Sequence, residues 1–159
     1  IFMESEQMYG DKMEIPEGEY IIPIGVAEIK REGTDVTIVS FGKIIKEAYK
    51  AAEELAKENI SVEIIDLRTV RPMDHAAIVK SVKKTNRLVV LEESWPFGSV
   101  ATEITYRIQE EAFDYLDAPV KRITTADTPA PYSPVLLEKW IPNYKDVIKA
   151  VKDVLYLKK

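Results

Sequence analysis

The chain has 159 residues, a net charge of −5 and 46% apolar residues, which is typical of one globular domain in water. It has no cysteine and one histidine, which excludes disulfides, thiolate metal sites, cysteine nucleophiles and multi-histidine metal sites. The acidic charge argues against nucleic acid and anionic membrane as partners, and no apolar run approaches the ~20 residues of a membrane span.

The first 20 residues differ from the rest of the chain. Ile1-Phe2-Met3 has the composition of the end of a strand, and the acidic stretch from Glu4 to Tyr20 has the glycines and proline of a linker. We therefore expect residues 1–20 to be an exit strand and linker from a preceding domain, and residues 21–159 to be a domain of their own.

Short apolar runs rich in β-branched residues predict buried strands, and apolar residues at helical spacing predict the helices between them. The first predicted element is a strand over Ala27–Arg31. Its charges suit the edge of a sheet, so we interpret it as an edge strand. Asp74 is a predicted N-cap, and Asn143 with Asp146 resembles a capping box. The predicted order is then strand 36–40, helix 44–55, strand 62–67, helix 74–82, strand 88–91, helix 100–112, strand 120–124, irregular loop 126–134, short helix 135–140 and a last helix from Asn143.

This alternation predicts a three-layer α/β/α fold with a mainly parallel sheet of about five strands and right-handed crossovers. Ligands of open α/β sheets lie at the carboxyl ends of the strands. Gly42 follows one such end in the sequence S-F-G-K, which lacks the pattern of a phosphate loop, so we interpret it as a turn. Glu92 and Glu93 end another strand; adjacent strand residues point to opposite faces, which favours a solvated or interface turn over an acid/base pair.

The remaining candidates indicate contacts between proteins more than chemistry. Arg68 and Arg71 could bind a carboxylate or phosphate, but ion pairs at a subunit contact are favoured. Trp95 and Phe97, in a predicted loop, are either interface anchors or residues that pack under the next helix. His75 is predicted to be a surface histidine, because no serine or cysteine motif accompanies it. The residues alone thus give an α/β domain without a catalytic set.

Several segments together nevertheless resemble one family. In chain order they are IFMESEQMYG, IPIGVAEIKREGTDVTIVSFG, EIIDLRTVRPMD, KKTNRLVVLEESWPFGSVATEI, FDYLDAPVKRITTADTPAPY and IPNYKDVIKAVKDVLYL. They are similar to the beta chains of thiamine-dependent 2-oxoacid dehydrogenases, those of pyruvate dehydrogenases more than those of branched-chain enzymes. The similarity covers nearly the whole chain and points to the transketolase-like C-terminal domain.

The resemblance implies that residues 1–20 leave a pyrimidine-binding domain. It also implies an α2β2 enzyme that uses thiamine diphosphate and magnesium, decarboxylates a 2-oxoacid and acylates the lipoyl group of a transacylase. The family's cofactor-activating glutamate and catalytic histidine lie upstream of the matching segments, so no catalytic, cofactor or metal residue is expected here and the fragment is expected to be inactive. Cytoplasm, or the mitochondrial matrix of a eukaryote, is the implied location.

The resemblance further implies an assembly role, with the alpha subunit, a second beta subunit and the subunit-binding domain of the transacylase as partners. The D-A-P match at Asp117 carries over a docking aspartate, and the carboxyl terminus at Lys159 carries over the second docking group. The purely structural interpretation of Asp117 is that it is an ordinary turn residue before a strand. The alternatives that stay open are a branched-chain beta subunit, a free-standing flavodoxin-like small-molecule domain and a purely structural dimerisation module.

Overall fold

The computed structural model describes residues 1–157, and these form five strands and five α-helices. Their order follows the predicted alternation, with the irregular Ala126–Pro134 loop ending where the fourth helix begins. The elements are β1 (Glu28–Arg31), β2 (Val36–Ser40), α1 (Ile45–Ala56), β3 (Val62–Asp66), α2 (His75–Thr85), β4 (Leu88–Leu91), α3 (Val100–Glu111), β5 (Lys121–Ile123), α4 (Pro134–Trp140) and α5 (Tyr144–Val154).

The five strands form one sheet in the order β1-β3-β2-β4-β5. Four of them run parallel, and β1 pairs antiparallel with β3 at one edge. The predicted charged edge strand is therefore confirmed. The mainly parallel sheet is confirmed as well, and its central strands β2 and β4 are buried along their whole length.

Each face of the sheet is covered by a pair of helices, which completes the three layers. One core joins alternate residues of β2, β3 and β4, such as Ile38 and Ile64, to the apolar faces of α1 and α5. The other core joins the opposite strand faces, such as Val39 and Val90, to α2 and α3. The alternation of strand side chains thus divides the apolar residues between two cores.

Both predicted helix caps are present. The Asp74 carboxylate accepts the Ala77 N–H at 3.1 Å, and its other oxygen accepts the Ala27 N–H at 3.0 Å, so it also ties the edge strand to α2. Asn143 and Asp146 form a reciprocal capping box at the start of α5. Caps of this kind satisfy helical N–H groups that would otherwise lack partners.

A network of polar side chains lies between β3 and α2. Glu63 is fully buried in β3, and its carboxylate contacts the Ser81 hydroxyl, the Lys84 ammonium and, at 3.4 Å, the Gly33 N–H. Thr37 extends the network through hydroxyl contacts of 2.6 Å to Ser81 and to Thr85. A buried carboxylate is tolerated only with such partners.

Ile1–Met3 has no strand partner within residues 1–157, so its assignment as the exit strand of a preceding domain stays a prediction. Residues 1–3 form no strand, and Ile1, Phe2 and Met3 are fully exposed. A strand requires hydrogen bonds to a neighbouring strand, and both edges of this sheet are formed by other segments. The residues that follow do reach the domain, since Gln7 accepts from Lys43 at 3.0 Å and Asp11 pairs with Lys46 at 2.5 Å. The linker assignment for residues 1–20 stays a prediction.

Candidate functional site

The carboxyl ends of the parallel strands contain one buried and one exposed glutamate. Glu93 pairs with Lys43 at 3.0 Å near the start of α1, whereas Glu92 accepts the Ala101 N–H of α3 at 3.3 Å. The prediction that they point apart is confirmed. The prediction of a solvated turn is wrong for Glu92, which is fully buried because its carboxylate caps the first turn of α3. Neither geometry forms an acid/base pair.

Three aromatic residues, Trp95, Phe97 and Trp140, lie near the carboxyl ends of the parallel strands. The indole N–H groups of Trp95 and Trp140 donate to the same carbonyl, Thr128 O, at 2.8 and 2.9 Å. The Arg122 guanidinium on β5 donates to Pro96 O at 3.0 Å, which holds the loop between the two predicted anchors. Phe97 is 93% exposed and Trp95 is half exposed, so neither packs under α3.

The other candidate residues of this region do not come together in one site. Arg68 has a left-handed backbone, with φ of 56°, and pairs with Glu28 on β1. Arg71 is exposed in the loop that follows β3. Of the two predicted interface arginines, Arg68 is the one for which an ion pair is seen among residues 1–157. Gly42 forms the predicted turn with φ of 68°, and its Cα faces open space. His75 is half-buried, not a simple surface residue, with its Nδ1 atom buried against residues that offer it no hydrogen bond within 1–157.

A metal ion would need clustered acidic or histidine side chains, and a diphosphate would need unpaired cationic groups. Within residues 1–157, no group of three histidine, aspartate or glutamate side chains comes together in a way that could hold a metal ion. A cleft of about 720 Å³ between α1, α4 and the start of α5 is lined by Lys43, Lys46 and Lys145. Two of these ammonium groups are already paired, with Glu93 and Asp11.

No helix within the described range is long and apolar enough to cross a membrane.

Asp117 lies near the amino ends of the parallel strands, at the opposite end of the sheet from the residues described so far. Its carboxylate lies 3.1 Å from the Arg87 guanidinium, and 56% of the side chain remains exposed. Its N–H donates to Asn86 O at 2.9 Å, and its carbonyl accepts from the Tyr156 hydroxyl at 3.3 Å. Asp117 and the last described turn of the chain are therefore neighbours. Lys159, the second predicted docking residue, lies outside the described residues.

Sequence reasoning missed Arg87. It also donates from Nε to Val154 O at 3.1 Å, so one guanidinium joins Asp117 to the end of α5. Its position directly before the strand Leu88–Leu91 was the available signal, because that position lies at the same edge as Asp117. The distance of 67 residues between Arg87 and Val154 hid the connection.

Comparison with known proteins identifies this architecture. The sequence profile described as the C-terminal domain of transketolase matches residues 25–147, and the chain therefore belongs to that family. It is 50% identical over 157 residues to the pyruvate dehydrogenase E1 component subunit beta of Rhizobium meliloti, and covers 34% of that subunit. It is 47% identical over 163 residues to the mitochondrial beta-1 subunit of Arabidopsis thaliana, and covers 45% of it.

Among solved structures, a split gene transketolase described as an inactive beta4 tetramer has a TM-score of 0.79 and 29% identity. The match covers 92% of this chain and 48% of that one. The chain spans less than half the length of these relatives. The similarity to pyruvate dehydrogenase beta subunits over 98% or more of the chain does not favour a branched-chain subunit or a free-standing flavodoxin-like domain.

Proposed function

We propose that this chain is the C-terminal assembly domain of the beta subunit of an acetyl-transferring pyruvate dehydrogenase. The observation that carries the proposal is the identity of 47–50% to such subunits along nearly the whole chain. The intact enzyme is an α2β2 tetramer that decarboxylates pyruvate with thiamine diphosphate and magnesium and acetylates the lipoyl group of the transacylase. It works in the cytoplasm, or in the mitochondrial matrix of a eukaryote.

The isolated chain is expected to bind no thiamine diphosphate and to decarboxylate no pyruvate. The reason is that its strand ends offer neither a carboxylate pair nor a metal-binding cluster in the described range. Calorimetry with thiamine diphosphate and magnesium, followed by a decarboxylation assay, checks this. The positive control is the α2β2 enzyme containing the full-length beta subunit. Turnover by the isolated chain would refute the assembly role.

In the intact enzyme, the surface at the carboxyl ends of the parallel strands, which contains Arg68, Arg71, Trp95 and Phe97, is the proposed contact with the alpha subunit and the second beta subunit. Trp95 and Phe97 are its anchors, because exposed aromatic side chains held on a fixed loop lose little conformational freedom on binding. The Thr128 carbonyl and the Arg122 guanidinium provide that fixed geometry. Arg68 and Arg71 lie in the loop after β3, where they would add ion pairs at the rim of the contact.

The surface around Asp117, at the amino ends of the parallel strands, is the proposed docking site for the subunit-binding domain of the transacylase. Asp117 offers a half-exposed carboxylate that pairs with Arg87, and two hydrogen bonds of its backbone hold the residue in place. A carboxylate has several acceptor positions and can accept hydrogen bonds in addition to its ion pair with Arg87, so a cationic partner can still bind there. Lys159 at the carboxyl terminus is the proposed second contact.

Replacing Asp117 by alanine in the α2β2 enzyme is expected to weaken binding of the subunit-binding domain by about 2 kcal/mol. That is the low end of the range for losing one partner of a charge pair, because the carboxylate is half exposed. Calorimetric titration measures it. Asp114→Ala is the matched control, since Asp114 is an exposed aspartate three positions earlier with the same charge. Equal affinities for both variants would remove Asp117 from the docking site.

A further inference from the structure

We propose that Arg87 is a positioning residue that locks the Asp117 turn to the end of α5 and thereby orients the docking carboxylate. This inference deepens the proposed function and rests on the docking role of Asp117. Arg87 lies between two elements that are distant in sequence: it pairs with the Asp117 carboxylate and donates a hydrogen bond to the end of α5. Its terminal nitrogen lies 3.1 Å from the Asp117 carboxylate, and its Nε donates to Val154 O at 3.1 Å.

Arg87 is itself held in place by the fold. Its carbonyl accepts the Thr37 N–H at 2.9 Å and the Thr85 hydroxyl at 3.2 Å, which ties it to β2 and α2. The side chain is 24% exposed, compared with 56% for Asp117. A planar guanidinium with donors in a fixed fork suits this bridging, because two acceptors can be bound in one orientation.

The contacts of Arg87 join the Asp117 turn and the end of α5 into one surface. The Tyr156 hydroxyl donates to Asp117 O at 3.3 Å, directly after α5 ends. Without Arg87, the Asp117 carboxylate would lose the one side-chain contact that it has among residues 1–157 and would sample other rotamers. A partner cation would then have to order the carboxylate on binding, which lowers affinity.

Charge alone predicts the opposite sign. Arg87 places a positive charge beside Asp117. If Arg87 acted only as a charge, its removal would reduce repulsion and strengthen binding of a cationic partner. If it positions Asp117, its removal weakens binding. The sign of the change therefore separates the two roles.

The test is a double-mutant cycle in the α2β2 enzyme, with the subunit-binding domain of its transacylase titrated by calorimetry. Arg87→Gln is expected to raise Kd about tenfold, equivalent to 1.4 kcal/mol. Arg87→Lys keeps the charge but not the fork, and is expected to raise Kd about threefold. In an Asp117→Asn background, Arg87→Gln is expected to change Kd less than twofold, because the group that it positions is gone. Arg107→Gln, which removes an arginine paired with Glu103 on α3, is the matched control.

Each other result overturns the inference in a recognisable way. Tighter or unchanged binding by Arg87→Gln, with Asp117→Asn still weaker than the wild type, means that Arg87 does not position the carboxylate. A tenfold loss that persists in the Asp117→Asn background, together with a lowered Tm, means that Arg87 supports the fold as a whole. Unchanged binding by Asp117→Asn itself means that the proposed docking role has failed.

Discussion

Replacing Gly33 by alanine is expected to lower the free energy of unfolding by about 3 kcal/mol. A Cβ at Gly33 would lie 2.2 Å from Glu63 N and 2.2 Å from Val62 C. Both are backbone atoms of β3, so no side chain can rotate away. The connection between β1 and β2 would have to move off the sheet.

That movement would also open the polar network below it. The Gly33 N–H points at the Glu63 carboxylate, and Thr34 and Asp35 donate to Ser61 O just before β3. Thermal and denaturant unfolding measure the loss. Gly10→Ala is the control, because nothing lies within 4 Å of the added Cβ; a change within about 0.5 kcal/mol is expected there. Similar unfolding midpoints for the two variants would show that Gly33 does not need to be a glycine.

The layered fold was predictable because it depends on local patterns. Runs such as Leu88–Leu91 are apolar throughout, which only a strand covered on both faces requires. The caps at Asp74 and Asn143 were predictable for the same reason, since each bonds to backbone within three residues of itself. The exit strand at Ile1–Met3 stays a prediction for the complementary reason: an apolar run shows that a strand could form, but pairing depends on a neighbour elsewhere.

The buried carboxylates were harder to predict because their partners are remote. Glu92 depends on an N–H nine residues later, and Glu63 on a hydroxyl and an ammonium that α2 supplies 18 and 21 residues later. A charged residue inside the apolar run Val62–Leu67 was the visible signal. It indicates that a partner is required, although it does not indicate which residue supplies it. For the docking surface, the position of Asp117 came from family resemblance, while its orientation by Arg87 came from the structure.

Replacing Lys84 by methionine is expected to cost about 2 kcal/mol of folding free energy. Breaking a buried ion pair costs about 3–5 kcal/mol because an uncompensated charge remains. The figure here is lower because 40% of the Lys84 side chain is exposed, so water reaches its end of the pair, although Glu63 itself is inaccessible. Lys57→Met is the control: its partner Glu54 is exposed on the same helix, and about 0.5 kcal/mol or less is expected.

The dependence on pH gives a second signature of this pair. The hydrogen bond to Glu63 raises the pKa of Lys84 above its ordinary value of 10.5, with Glu32 adding to the effect. A raised pKa means that the folded state binds the proton more tightly than the unfolded state does. The advantage of wild type over Lys84→Met should therefore be constant below about pH 10 and disappear as the pH rises through the pKa of the folded state. An advantage that persists undiminished at high pH would assign it to packing of the lysine stem.

Neutralising Glu63 separates charge from shape. Glu63→Gln in the Lys84→Met background is expected to recover about half or more of the lost stability, because a buried amide costs less to remove from water than an unpaired carboxylate. The amide oxygen can take the position that accepts from the Gly33 N–H, and the amide NH2 can then donate to the Ser81 hydroxyl oxygen, so the rest of the network can persist with one hydrogen bond reversed. If the double variant is less stable than Lys84→Met alone, Glu63 contributes through its charge to the hydroxyl chain of Ser81 and Thr37, and the ammonium is secondary.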